Sequence, residues 1–221
     1  GDRFGAAVAL DGDTLVVGAP GDDDGTGAVD RYDLTQSPPT AAKLTASDGE
    51  VGDRFGSSVA IAGQTVLVGA PSAGASGAAY VADLTDPTAE TTLVAADVVE
   101  SGLVGAAVAL SDGTALVGAP DDGSVHVFDL TAQPTAAVEV LTDGTGFGGA
   151  VAGSGETVVV GSSGAVAIYD LGSAHPTVPV AEATGVNEPL FGTFGAAVAV
   201  DGETALVGTA GRTVSVYRCV D

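Results

Sequence analysis

One two-part phrase occurs five times along this chain, and a repeat of that kind leaves few folds open. Its first copy reads Phe4-Gly5-Ala6-Ala7-Val8-Ala9-Leu10, followed by Thr14-Leu15-Val16-Val17-Gly18-Ala19-Pro20. The second pairs Phe55-Gly56-Ser57-Ser58-Val59-Ala60-Ile61 with Thr65-Val66-Leu67-Val68-Gly69-Ala70-Pro71, and the third pairs Val104-Gly105 with Thr114 to Pro120. Two looser copies start at Phe147-Gly148 and Phe194-Gly195 and run on to Gly161-Ser162 and Gly208-Thr209. Successive copies are 51, 49, 43 and 47 residues apart. A period of this size made of short strands points to a propeller or solenoid.

Within the first copy, Phe4 to Leu10 reads as a strand of small residues, and Asp11-Gly12-Asp13 is a strong hairpin signal. Thr14 to Val17 is continuously apolar, as expected of a strand covered on both faces, and Pro20 ends it. Ala28 to Leu34 alternates as a third strand, and a turn at Pro38-Pro39 leads to a fourth over Ala41 to Thr45. The third strand recurs as Ala78 to Leu84, Ser124 to Leu130, Ala165 to Leu171 and Thr213 to Tyr217. Four antiparallel strands per unit make a propeller blade. The expected fold is all-β, a β-propeller of five four-stranded units at approximately 1–50, 51–100, 101–143, 144–190 and 191–221, in one domain. The fifth unit ends before a fourth strand, and the sequence leaves open whether the ring closes.

Composition narrows the partners. Six Lys and Arg stand against 29 Asp and Glu, a formal charge of −23, which repels nucleic acid and anionic membrane surfaces. With 45% hydrophobic residues the chain is not a disordered acidic tail. An acidic shell over small apolar residues, with Lys43 the single lysine, is the composition of a protein adapted to concentrated salt. A calcium-rich extracellular setting is the rival explanation. Cys219, the only cysteine, allows no intrachain disulfide or zinc cluster. There is neither a long apolar run nor a signal-peptide pattern, so we expect no membrane insertion. The opening on Gly1, with no Met anywhere, suggests a processed or trimmed chain.

Phe-Gly at the head of the first strand, with Gly-Ala-Pro closing the second, resembles the FG-GAP repeat, the propeller unit of integrin α subunits and of many prokaryotic surface proteins. The stretch Lys43 to Gly56 looks like the prokaryotic branch. The resemblance spans the chain, strongly in three units and weakly in two. It implies a scaffold for adhesion or binding, often secreted or displayed at a cell surface, without naming a ligand. Integrin-type units carry a calcium loop between their first two strands. Here that connection is Asp11-Gly12-Asp13, Gly63-Gln64, Ser111-Asp112-Gly113, Ser154-Gly155-Glu156 or Asp201-Gly202-Glu203, too short to supply six or more oxygens.

Cation binding is better sought where the loops between strands two and three meet those joining blades. Asp22, Asp23, Asp24, Asp121 and Asp122 lie there and are weak metal candidates only; a solvated acidic surface is the favoured account of them. Arg3 and Arg54 sit among these acids, where pairing with a neighbouring Asp is the plain role. For catalysis, His126 falls on an alternating strand and His175 in a turn, and no nucleophile elbow accompanies either. We expect no enzyme, no catalytic residues and no cofactor beyond weak calcium or other cation binding. The expected function is a non-enzymatic binding or adhesion module outside a halophilic archaeal cell, its partner a protein or glycan at a cell surface. Alternatives are a subunit assembling with copies of itself into a surface filament or virus particle, and a propeller hydrolase acting on glycans.

Overall fold

β1 (Ala7–Asp11), β2 (Thr14–Ala19), β3 (Ala28–Asp33) and β4 (Thr40–Leu44) form one antiparallel sheet in sequence order. The computed structural model of the chain describes all residues except 94, 96, 97, 133–136, 145, 185–193, 210–212 and 219–221, and the side chains of 87–89. The pattern recurs as β5 (Ser58–Ala62), β6 (Thr65–Ala70), β7 (Ala78–Asp83) and β8 (Asp86–Leu93). It recurs again as β9 (Ala107–Ser111), β10 (Thr114–Ala119), β11 (Ser124–Asp129) and β12 (Glu139–Thr142). β13 (Ala150–Ser154), β14 (Thr157–Gly161), β15 (Ala165–Asp170) and β16 (Ala181–Thr184) make the fourth sheet. A fifth has three strands, β17 (Ala197–Asp201), β18 (Thr204–Gly208) and β19 (Val214–Arg218). The protein is all-β, built of five repeated blades. Among the described residues there is one short helical turn, α1 (Asp22–Gly25), kinked, with Asp23 and Asp24 at positive φ.

Cores form between blades rather than within them. A strand has two faces, so each blade offers one apolar face to the blade before it and one to the blade after. Val16, Val29 and Leu44 of blade 1 meet Phe55, Val66, Val68 and Tyr80 of blade 2. Leu67, Ala79 and Leu93 meet Val104, Ala115, Val117 and Phe128 across the next seam. Leu116, Val125 and Leu141 then meet Phe147, Val158 and Tyr169, and Val159, Val166 and Ile168 meet Phe194, Ala205 and Val207. Edge-on aromatic pairs join Phe4 to Tyr32, Phe55 to Tyr80, Phe147 to Tyr169 and Phe194 to Tyr217. Each is worth about 0.5–1.5 kcal/mol beyond its buried area. In blade 3, where Val104 replaces Phe, Phe128 fills the seam from the third strand.

The Phe-Gly pairs do not begin the first strands, which start three residues after each Phe. They occupy the turn before, with Gly5, Gly56, Gly105, Gly148 and Gly195 all at φ between +84° and +87°, a conformation that side chains oppose. At Gly56 and its three successors, a Cβ would also strike the backbone of the preceding blade. At Gly5 it would meet nothing within 4 Å. β1, β5, β9, β13 and β17 pack in series, each on the next. Among the described residues the two ends of that series, β1 and β17, share no packed face. Among the described residues the series of blades is open at both ends.

Candidate functional site

An irregular seam provides a cleft. Directly opposite the second residue of each middle strand, the third strand carries Tyr32, Phe128, Tyr169 or Tyr217. Blade 2 instead has Ala82 opposite Val66, and its tyrosine stands two residues earlier, at Tyr80. The wedge between blades 1 and 2 is therefore underfilled, leaving a cleft of about 220 Å3. Phe55, Val66, Val68 and Leu44 give it apolar walls, while Lys43, Tyr80 and Glu90 supply the polar groups. The Tyr80 hydroxyl donates to Asp48 Oδ1 at 3.0 Å, and burial together with that carboxylate pushes the phenol's pKa upward. Glu90 Oε1 accepts from the Ser47 amide and hydroxyl, tying β8 to the linker between the blades. Such a constellation binds rather than reacts. It offers fixed polar groups around an apolar floor.

The five aspartates singled out above have separate surroundings. Asp22 and Asp23 both turn to the Lys43 ammonium, with Asp23 Oδ2 at 3.6 Å. Asp24 is exposed beside the shallow groove between Arg3 and Arg54. Asp121 is exposed, and Asp122 accepts from the Ser124 hydroxyl at 2.8 Å and the Val99 amide at 3.2 Å. In the linkers that join successive blades, Asp53 accepts from the Glu50 amide at 2.7 Å; Asp97 lies outside the described residues, as does Cys219. Among the described residues, no three His, Cys, Asp or Glu side chains converge as a metal-binding group. Nor does any carboxylate there pair with Arg3 or Arg54, contrary to the expectation for those arginines.

Asp122, Ser124 and His126 make a hydrogen-bonded row whose polarity is wrong for a nucleophile. Ser124 has one proton and gives it to Asp122 Oδ2, so the 3.1 Å contact to His126 Nε2 requires the ring to donate. A serine is activated by the opposite arrangement, with imidazole accepting its proton. Nδ1 then keeps a buried lone pair with no partner among the described residues. Burial depresses the His126 pKa, with Asp122 opposing. Neutral imidazole is thus favoured in the folded state, and the unfolded chain binds more protons below about pH 6.5. Stability should rise as pH climbs from the folded pKa to about 6.5 and then level off. His126→Phe should flatten that part of the profile in denaturant titrations between pH 5 and 8 at fixed salt.

A chain of serial four-stranded blades is a propeller-like repeat protein, and comparison with known proteins shows what its first blades resemble. The FG-GAP repeat family matches residues 1–30 and 40–82, the first two blades. On that match the first two blades are similar to FG-GAP repeats. No curated protein matches it. Among solved structures it is similar to the computationally designed Ika8 protein, at 18% identity and a TM-score of 0.59, covering 96% of this chain and 70% of that one. A chain from the mitotic checkpoint complex matches at 14% identity and a TM-score of 0.70. There 96% of this chain is covered, and it spans only 60% of the other. These likenesses concern the fold alone.

The sequence reading missed Ala82, Tyr80 and Glu90. Its signal was available: aligning the third strands places alanine where three other blades have tyrosine and one has phenylalanine.

Proposed function

We propose that this protein is a non-enzymatic binding module of the extracellular space or cell surface, holding a protein or glycan group in the cleft between its first two blades. The observation that carries this reading is that cleft, open where Ala82 replaces the aromatic of the other blades and edged by Lys43, Tyr80 and Glu90. FG-GAP repeats are commonly binding or adhesion modules, which agrees with it. No helix among the described residues is long and apolar enough to cross a membrane. The donor polarity at Ser124 argues against hydrolysis at the one buried histidine. The integrin-like lineage, the halophilic archaeal source and weak cation binding at Asp22, Asp23, Asp24, Asp121 and Asp122 belong to the same proposal. They rest on the repeat motif and the charge of −23.

The test is binding to arrayed glycans and extracellular proteins in molar NaCl, with wild type beside Ala82→Tyr. Filling the cleft with the aromatic found in the other blades should abolish retention while leaving thermal stability intact. Equal retention by the variant removes the cleft from the reading, and glycan cleavage by the purified chain replaces binding with hydrolysis. Calorimetry with CaCl2 at constant ionic strength should reveal no micromolar sites, since among the described residues the carboxylates do not converge.

A further inference from the structure

Three of the internal seams set an aliphatic residue of one blade against an aromatic of the next. Opposite the third residue of the middle strand, blades 2, 3 and 4 carry Val81, Val127 and Ile168 on their third strands. These meet Phe128, Tyr169 and Tyr217 across their seams. Between blades 1 and 2 both partners differ. Arg31 holds the aliphatic position and Ala82 the aromatic one, with Glu90 beside Ala82 on β8. One seam has thus lost its packed pair and gained two charges of opposite sign. An ion pair across the seam would be the plain reason for that exchange. It is not made: no carboxylate among the described residues pairs with Arg31, and Glu90 Oε1 is turned to Ser47.

Arg31 is nonetheless held in the seam. It shares a strand face with Val29, which is buried in the core between the two blades. A groove of about 110 Å3 on that face is lined by Arg31, Asp33, Thr40, Ala41 and Ala42. Ala42 lies two residues along β4 from Leu44, a wall of the cleft described above. Arg31 Nε is cut off from solvent and has no hydrogen-bond partner among the described residues. Asp33, two residues on, accepts from Thr35 instead. A buried donor left unpaired is costly, so an occupant that brings an acceptor there gains from relieving that cost as well as from charge.

We propose that this seam binds a uronic acid, its carboxylate on the Arg31 guanidinium, its ring hydroxyls donating to Glu90 and its C–H face over Leu44 and Phe55. This rests on the cleft reading above and names the chemistry that enters. A guanidinium matches a carboxylate, two N–H groups to two oxygens. A single carboxylate suits the seam better than a phosphate, whose second negative charge would face Glu90 and the field of a chain at −23. Glu90 as a carboxylate only accepts, so the occupant must bring donors as well as an acid. A sugar ring brings several hydroxyls, whereas an aspartyl or glutamyl side chain brings none.

Calorimetry with methyl β-glucuronide and methyl β-glucoside reads this directly, because the two differ only in a carboxylate for a hydroxymethyl group. Molar NaCl screens the acidic surface but much less a partly buried pair, so it can be kept throughout. The glucuronide should bind about 10-fold or more tighter than the glucoside, and Arg31→Met should remove that preference. Arg31→Met keeps the packing of the stem and deletes an unpaired buried donor, so the unfolding temperature should not fall. Should that variant fail to fold, Arg31→Lys keeps the charge without the planar fork and should lose part of the preference. Glu90→Gln should weaken both sugars together, since it touches hydroxyls they share. No binding of the glucuronide, equal affinity for the two sugars, or a preference that survives Arg31→Met would overturn the proposal. So would N-acetylglutamate bound as tightly as the glucuronide, which would assign the seam to an acidic peptide. The cleft reading is decided separately, by Ala82→Tyr on the arrays, so the two can fail apart.

Discussion

Gly69→Ala and Gly118→Ala should each lower the stability of the array by about 3 kcal/mol or more, while Gly208→Ala leaves it within roughly 0.5 kcal/mol. The substitution is chemically identical at all three sites, which close their middle strands in the same register. Only the neighbours differ. A Cβ at Gly69 or Gly118 would penetrate the carbonyl oxygen of Gly105 or Gly148, and a backbone carbonyl cannot rotate aside as a side chain can. The blades would have to part along the seam that contains their core. At Gly208 the nearest atom is the Ala197 Cβ at 3.4 Å, an ordinary contact. Denaturant titration at fixed high salt and low protein concentration ranks the three. Equal losses at all three would mean that glycine is required by its own strand, and the serial packing of blades would lose its support.

That contrast also marks how far sequence alone could reach. Phe-Gly and Gly-Ala-Pro in register, with Asp-Gly turns between them, made the repeated strands legible, because hairpin chemistry and alternation are local properties. The turn that holds Gly56 at φ +87° was not, since a glycine among small residues looks alike in a strand and beside one. The aspartate that ends the third strand, followed by leucine in four blades, had a local cause that its spacing did not reveal. Asp33, Asp83 and Asp129 each accept from the amide and hydroxyl of the threonine two residues on, which holds those carboxyls below their usual pKa. The cleft depended on comparison between units, Ala82 being unremarkable until it is set beside Tyr32, Tyr169 and Tyr217. The polarity of the Ser124 hydroxyl depended on where Asp122 folds, a fact about three side chains in space that no spacing encodes.

Raising NaCl from dilute buffer to 2–3 M should increase the unfolding temperature by about 10 °C or more. The cause is a surface whose negative charges outnumber their partners. Six Lys and Arg stand against 29 acidic residues, and Asp22 and Asp23 share Lys43. The excess negative charges repel one another across the serial blades, and unfolding relieves that repulsion by separating them. At 0.1 M salt the Debye length of about 10 Å still spans neighbouring loops; at 1 M it falls to about 3 Å and most of the repulsion is gone. A gain of several kcal/mol corresponds, at about 2–4 °C per kcal/mol for a domain of this size, to the shift expected. Sucrose strengthens burial without screening, so at matched osmolality it should give much less of the effect. Calcium separates the rival explanation of the acidic composition. Millimolar CaCl2 at constant ionic strength should add little, because among the described residues the carboxylates that could ligate it do not converge. An unfolding temperature indifferent to NaCl would remove the case for adaptation to salt, and one raised chiefly by calcium would transfer it to a calcium-rich setting.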